Sequence, residues 1–254
     1  MMVTLGVAFF ALGAVVASFI GVLVARLNTG QSFLTGRSHC DVCNATLDSC
    51  ALVPIISYAV SGGRAQCCGA HISIMSPVTE AILGGLFVLS YLMLGLSAEL
   101  PLMLLSISAL LALVMYDLVH QILPPSLLWI FVALSAVTGF LGSISVTDFY
   151  NTLLVAFVIA MSLAAMHFFS RGRAMGLADA PLAFGLALLV GPAAFPGFIF
   201  SFWIGAVVGI AILLKRPKGS RMGVEVPFAP FLAAGFLLSY FTQWNPFIFV
   251  EVFH

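Results

Sequence analysis

Long apolar runs separated by short polar connections govern this chain. The runs are unbroken over roughly 16 to 24 residues, without the strict apolar and polar alternation of a half-buried strand. They predict eight spans, at residues 2–25, 78–96, 100–118, 126–142, 149–169, 180–195, 197–214 and 226–243. In hydrocarbon every backbone N–H and C=O must be paired inside the segment or in a closed barrel, and continuous runs select helices. The expected fold is an all-α polytopic membrane protein of about eight transmembrane helices. Between the sixth and seventh spans the turn signal is Phe195, Pro196 and Gly197. The domains expected are a first span at 1–25, a small cysteine-rich cytoplasmic domain at 26–77, and a transmembrane bundle at 78–254.

Composition adds the solvent. Of 254 residues, 62% are hydrophobic and 7% charged, against roughly 25% charged in an average soluble domain. The expected surroundings are a lipid bilayer, and a net charge of zero gives no basic surplus for a nucleic-acid partner. Placement of charge says more than its sum. With eight spans all nine basic residues, Arg26, Arg37, Arg64, Arg171, Arg173, Lys215, Arg216, Lys218 and Arg221, fall on one side. Glu99, Asp148 and Glu251 fall on the other. The positive-inside rule then puts the basic side in the cytoplasm and both termini outside, and a seven-span chain would lose the asymmetry. No basic residue precedes the first run, and Arg26 follows it, so it reads as a retained span and not a removable signal. No internal repeat is evident.

The connection at 26–77 holds all five cysteines, Cys40, Cys43, Cys50, Cys67 and Cys68. Thiols on a cytoplasmic face stay reduced, which favours a metal over disulfides. Cys40 and Cys43, in HCDVC, have the spacing of a zinc knuckle. The second half, RAQCCGAH, is irregular: Cys67 and Cys68 are adjacent and side chains of neighbours diverge, which leaves His39 and His71 as substitute ligands. Cys50 and one of the pair also fit as small buried hydrophobes. The metal expected is zinc, acting as a structural staple for about 50 residues short of large apolar side chains.

Two carboxylates stand where lipid makes them expensive, roughly 2.5 to 3.5 kcal/mol at a helix centre. Asp117, in LVMYDLVHQILPP, ends the third span, and helical spacing sets His120 and Gln121 on its face before Pro124 and Pro125 stop the helix. Asp179, in GLADAPLAF, precedes the sixth span on the same side and is placed as an N-cap with Pro181 opening the helix. Two carboxylates at one depth can share a proton, one serving as base toward water and the other as acid toward a carbonyl, which is aspartic-protease chemistry. Either Asp alone is equally a cap or an interfacial residue. Glu80, in SPVTEAI, reads as a first-turn acid, and His167 gives no signal. The alternative from another class is a small proton-coupled transporter or channel with Asp117, His120 and Asp179 as relay; a third is a membrane anchor whose cysteine-rich loop binds a partner.

The ordered set of motifs resembles the type IV prepilin leader peptidase family over nearly the whole chain. ASFIGVLVARL (17–27), HCDVC, LVPIISY (52–58), GGRAQCCGAHIS (62–73), SPVTE (76–80), DLVHQILP (117–124), GLAD (176–179) and VPFAPFLAAG (226–235) follow its segments in order. The resemblance implies an aspartic endopeptidase that cuts the leader from prepilins or pseudopilins at the cytoplasmic face of the inner membrane. It commonly implies N-methylation of the new terminus with S-adenosylmethionine as well. Asp117 and Asp179 match the catalytic aspartates, and Cys40, Cys43 and Cys68 match three of four zinc cysteines. The third family cysteine aligns with Ala65, so Cys67, displaced by two residues, or a histidine is left to complete the set. Ala178 replaces the second glycine of the family's Gly-x-Gly-Asp segment, Pro181 a frequent lysine, and Pro125 a frequent Asp. Ala tolerates positive backbone angles poorly, so the turn before Asp179 is expected to be mild.

Overall fold

A computed structural model describes residues 2–27, 39–40, 42–46, 53–172, 175–215 and 226–244. Cys50, Arg37, Arg173, Arg216, Lys218, Arg221 and Glu251 lie outside the described residues. Among the described residues the elements are helical: α1 (Met2–Arg26), α2 (Ile56–Ser61), α3 (Met75–Leu94), α4 (Leu100–His120), α5 (Pro125–Gly142), α6 (Val146–Ser170), α7 (Asp179–Val190), α8 (Ala194–Lys215) and α9 (Ala229–Thr242). All but the short α2 fall on the eight predicted spans. The protein is a polytopic all-α membrane protein, with six helical stretches among the described residues long and apolar enough to cross a bilayer.

The last of those stretches, Asp179–Lys215, is 37 residues, about 55 Å of helix against a hydrocarbon core of about 30 Å. It is broken, but not at Phe195, Pro196 and Gly197. The break is Gly191, at φ 59 and ψ −124, followed by a 3-10 turn over Gly191–Ala193. That backbone region is open essentially to glycine alone. Pro196 instead lies in the first turn of α8, where a missing N–H costs nothing because first-turn donors have no intrahelical partner.

The chain forms two compact units, one up to Leu100 and one from Pro101 onward. In the first, α1 and α3 pack antiparallel through small residues. A Cβ on Gly13 would meet Gly84 Cα at 2.8 Å, and Phe9 stacks on Tyr91 with ring centroids 4.8 Å apart. Close backbone approach is how helices gain packing energy where the surroundings are as apolar as they are.

In the second unit α7 is the central element, packed against α5, α6, α8 and α9. Gly235 of α9 lies against Ser201 of α8, and Gly139 of α5 against Leu188 of α7, so closely that a methyl group would overlap backbone atoms. Hydroxyls inside the bundle are satisfied mainly by carbonyls one turn back, as Ser106 to Leu102 and Thr138 to Leu134, both 2.8 Å. Ser106 and Thr138 also meet each other at 3.2 Å, tying α4 to α5.

Candidate active site

Asp117 sits in the last turn of α4, 6% exposed. The helix stops at His120 because Gln121 turns left-handed, φ 54, with its N–H on the Asp117 carbonyl at 2.8 Å. Gln121 therefore does not share a helix face with Asp117, and the prolines act later: Pro124 caps α5 and Pro125 opens it. The backbone N–H of Ala229, the first residue of α9, lies near the Asp117 carboxylate, and that donor has no partner inside its own helix. Asp117 Oδ2 is buried, and among the described residues it has no hydrogen-bond partner.

Asp179 is 7% exposed and is the first residue of α7, not its cap. Ala178 holds the cap position at φ −69 and ψ −17, a conformation any residue adopts, so no positive angle is asked of the alanine. The Asp179 carboxylate does not reach forward to α7 N–H groups. It reaches back, and Oδ2 accepts the Gly176 N–H at 3.1 Å. Pro181 falls in the first turn of α7, where proline is tolerated.

The structure brings the two carboxylates together: they come from helices more than 60 residues apart in sequence and lie near enough for the charge on one to act on the other. His120 does not join them. It is exposed, its ring lies on Tyr116 at 4.3 Å, and among the described residues it makes no hydrogen bond to either carboxylate. The relay of Asp117, His120 and Asp179 is not assembled.

The cysteine-rich segment folds as two copies of one turn. In the first, His39 pairs with Thr46, the Cys40 N–H reaches Ala45 O at 2.9 Å, and Asn44, at φ 59, reaches Cys40 O at 2.9 Å. In the second, Arg64 pairs with His71, Ala65 N–H reaches Ala70 O at 2.8 Å, and Gly69, at φ 70, reaches Ala65 O at 2.7 Å. Cys43 therefore corresponds to Cys68 and Cys40 to Ala65. This is an internal repeat of backbone that the side chains concealed.

Cys67 supplies the sulfur that Ala65 lacks. Cys40 and Cys68 Sγ are 3.7 Å apart, Cys43 and Cys67 3.3 Å, Cys67 and Cys68 3.9 Å, and all four lie within 4.8 Å of one another. Thiolates held about 2.3 Å from one tetrahedral ion stand roughly 3.8 Å apart, so the four residues fit such an ion. Adjacent Cys67 and Cys68 both reach the cluster, and among the described residues neither His39 nor His71 enters it. Backbone N–H groups of Cys43 and Val42 bring the Cys40 thiol down to about 6. Cys43 and Cys40 beside it hold the proton on Cys67, pushed up to about 12.

Glu80 is not a first-turn acid, because α3 begins at Met75. Its carboxylate, 4% exposed, accepts the Ile55 N–H at 2.7 Å, at the start of α2. Sequence reasoning missed this contact, since a backbone donor carries no residue signature.

Fold and site together define a polytopic helical membrane protein with a buried aspartate pair at one end of a bundle and a four-thiol turn in a separate unit. A family model for the bacterial peptidase A24 N-terminal domain matches residues 11–94, which is α1 through α3. A prepilin leader peptidase/N-methyltransferase of Bacillus subtilis is 29% identical over 232 residues, 91% of this chain and 92% of the relative. One of Myxococcus xanthus is 33% identical over 221 residues, 82% of this chain and 63% of the relative. One of Pseudomonas aeruginosa is 26% identical over 253 residues, 87% and 85% of the two. No solved structure matches the chain. In its ordered motifs, its match to that family model and its likeness to these relatives, the chain is similar to the type IV prepilin leader peptidases.

Proposed function

We propose that this protein is a multi-pass inner-membrane aspartic endopeptidase that removes the leader peptide from type IV prepilins or pseudopilins, with Asp117 and Asp179 as its dyad. One observation carries the reading: two buried carboxylates from α4 and α7 act on each other at one end of the bundle, and Asp117 Oδ2 has no partner among the described residues. A buried polar oxygen without a partner costs about 1 to 3 kcal/mol, a cost that a bound water or a substrate carbonyl would relieve.

In this proposal the pair shares one proton. The ionised member takes a proton from water as the water oxygen attacks the scissile carbonyl, while the protonated member gives its proton to the carbonyl oxygen. The tetrahedral intermediate then breaks its C–N bond: the leaving nitrogen takes a proton from the carboxyl that received one, and a hydroxyl of the intermediate returns its proton to the other carboxylate as the carbonyl re-forms. Charge begins and ends on one carboxylate, so the dyad is regenerated. The Gly176 N–H fixes one oxygen of Asp179.

Cys40, Cys43, Cys67 and Cys68 are proposed to hold a structural zinc ion, which would tie the two turns together. The basic face is proposed to be cytoplasmic and both termini outside. The relatives' names also carry an N-methyltransferase activity, for which S-adenosylmethionine would supply the methyl group; no residue of this chain is assigned to it.

The test is cleavage of a purified prepilin by the protein in detergent. Asp117→Asn and Asp179→Asn keep the side-chain shape but remove the proton carrier, and each is expected to lower cleavage at least roughly 100-fold, the lower bound for acid and base catalysis. Parental rates in both variants would overturn the assignment.

A further inference from the structure

His167 stands at the cytoplasmic-facing end of α6 proposed above, half-buried beneath the segment that leads into Asp179. Its Nδ1 lies 2.8 Å from the Met175 carbonyl oxygen. A carbonyl oxygen only accepts, so Nδ1 carries the hydrogen and Nε2 does not need one. The chain folds over this ring. Arg171, at φ 55, ends the helix left-handed, Gly172 returns its N–H to the His167 carbonyl at 2.9 Å, and a Cβ on Gly172 would touch His167 Cε1 at 3.4 Å.

The Met175 carbonyl and the Gly176 N–H are the two ends of one peptide plane. The N–H end donates to Asp179 Oδ2 at 3.1 Å, and the Gly176 carbonyl accepts the Asp179 N–H at 3.3 Å. Imidazole, peptide and carboxylate thus form a continuous series. Because a peptide is rigid and planar, fixing its oxygen fixes the direction in which its N–H points. Donation to the oxygen also polarises the N–H toward the carboxylate.

We propose that His167 is a positioning residue for Asp179, acting through the Met175–Gly176 peptide to fix which carboxylate oxygen is occupied and where the side chain stands. The inference rests on the assignment of Asp179 as a member of the peptidase dyad. His167 touches neither carboxylate, so removing it misplaces the base or acid without deleting it. A misplacement on the ångström scale is worth up to roughly 100-fold in rate.

The experiment measures kcat and KM for prepilin cleavage by the full-length protein in detergent, with His167→Leu, His167→Asn, His167→Gln and Asp179→Asn, alongside thermal melting of each. An Asn amide nitrogen stands where Nδ1 does relative to Cβ, whereas a Gln amide reaches the place of Nε2. His167→Leu is expected to lower kcat by roughly 10- to 100-fold with KM within about twofold, and His167→Asn to recover most of it while His167→Gln does not. A space-filling role would give the opposite order, since Gln is nearer in size to His. If His167→Leu fails to fold, the Asn and Gln pair decides by the same order. Parental kcat in His167→Leu, or equal losses in Asn and Gln, with Asp179→Asn inactive, would overturn the role of His167 and leave the dyad intact. Parental cleavage by Asp179→Asn would instead overturn the dyad assignment and this inference with it.

Discussion

A buried carboxylate must find donors, and Glu80 finds one 25 residues back along the chain, at the Ile55 N–H, with Ser76 Oγ a second at 3.4 Å. Ile55 is a β-branched residue at φ 60, a conformation that costs energy and persists only where its surroundings impose it. The Glu80 carboxylate is the group positioned to impose it. Glu80→Ala would leave that N–H without its acceptor and is expected to destabilise the protein by about 1 to 3 kcal/mol, while Glu80→Gln, which keeps an acceptor oxygen, loses less. Chemical denaturation of the detergent-solubilised variants checks the difference, and equal stability of Ala and Gln would remove Glu80 from this role. Asp117 and Asp179 were legible in the sequence because a carboxylate beside an apolar run has few reasons to be there. Their neighbours were not. The partner of Asp179 is the backbone N–H of Gly176 and the neighbour of Asp117 is that of Ala229, groups that any residue but proline supplies, and the cap expected at Asp179 fell one residue early.

At the scale of elements, residue spacing and backbone disagree in the cysteine-rich segment. Cys-x-x-Cys announced the first turn, but the second repeats the backbone without repeating the sulfur positions, and only the offset of 25 residues between paired backbone bonds exposes it. Ala65 occupies the place of Cys40, so moving the sulfur back to it is the decisive change. Cys67→Ala is expected to lose the metal, and Cys67→Ala with Ala65→Cys to regain it, as read by zinc content per protein after purification. Acid should strip it too. Binding by thiolate must displace the proton that Cys67, pushed up to about 12, holds at neutral pH, whereas Cys40, down to about 6, is already ionised there. Lowering the pH favours the protonated sulfurs and affinity falls, most steeply once Cys40 also takes a proton near pH 6. Zinc retained unchanged at pH 5 would contradict thiolate ligation. The break between α7 and α8 was misplaced from sequence for a related reason. Pro196 looks like a breaker but is harmless in a first turn, while Gly191 acts through a backbone angle.

Across the whole chain, that break decides the topology. The Ala229 N–H at the start of α9 lies near Asp117, and Asp117 acts on Asp179 at the start of α7, so α7 and α9 begin at the same end of their bundle. Ser201 of α8 meets Leu232 and Ala193 meets Ser239, which makes α8 antiparallel to α9. Lys215, at the end of α8, therefore returns to the end where Asp179 began. Asp179–Lys215 doubles back on itself rather than running as one tilted helix, and α7, with 12 residues and about 18 Å, is shorter than a lipid span. It is tolerated because its neighbours are protein. Doubling back keeps Arg171 and Lys215 on one face, the condition under which the basic residues share a side. Fusions to alkaline phosphatase, active only outside, are expected to be active after Ala193 and after Ile144, and inactive after Arg171 and after Lys215. An active fusion after Lys215 would mean that the chain crosses once between Asp179 and Lys215, and would separate the basic residues onto two faces.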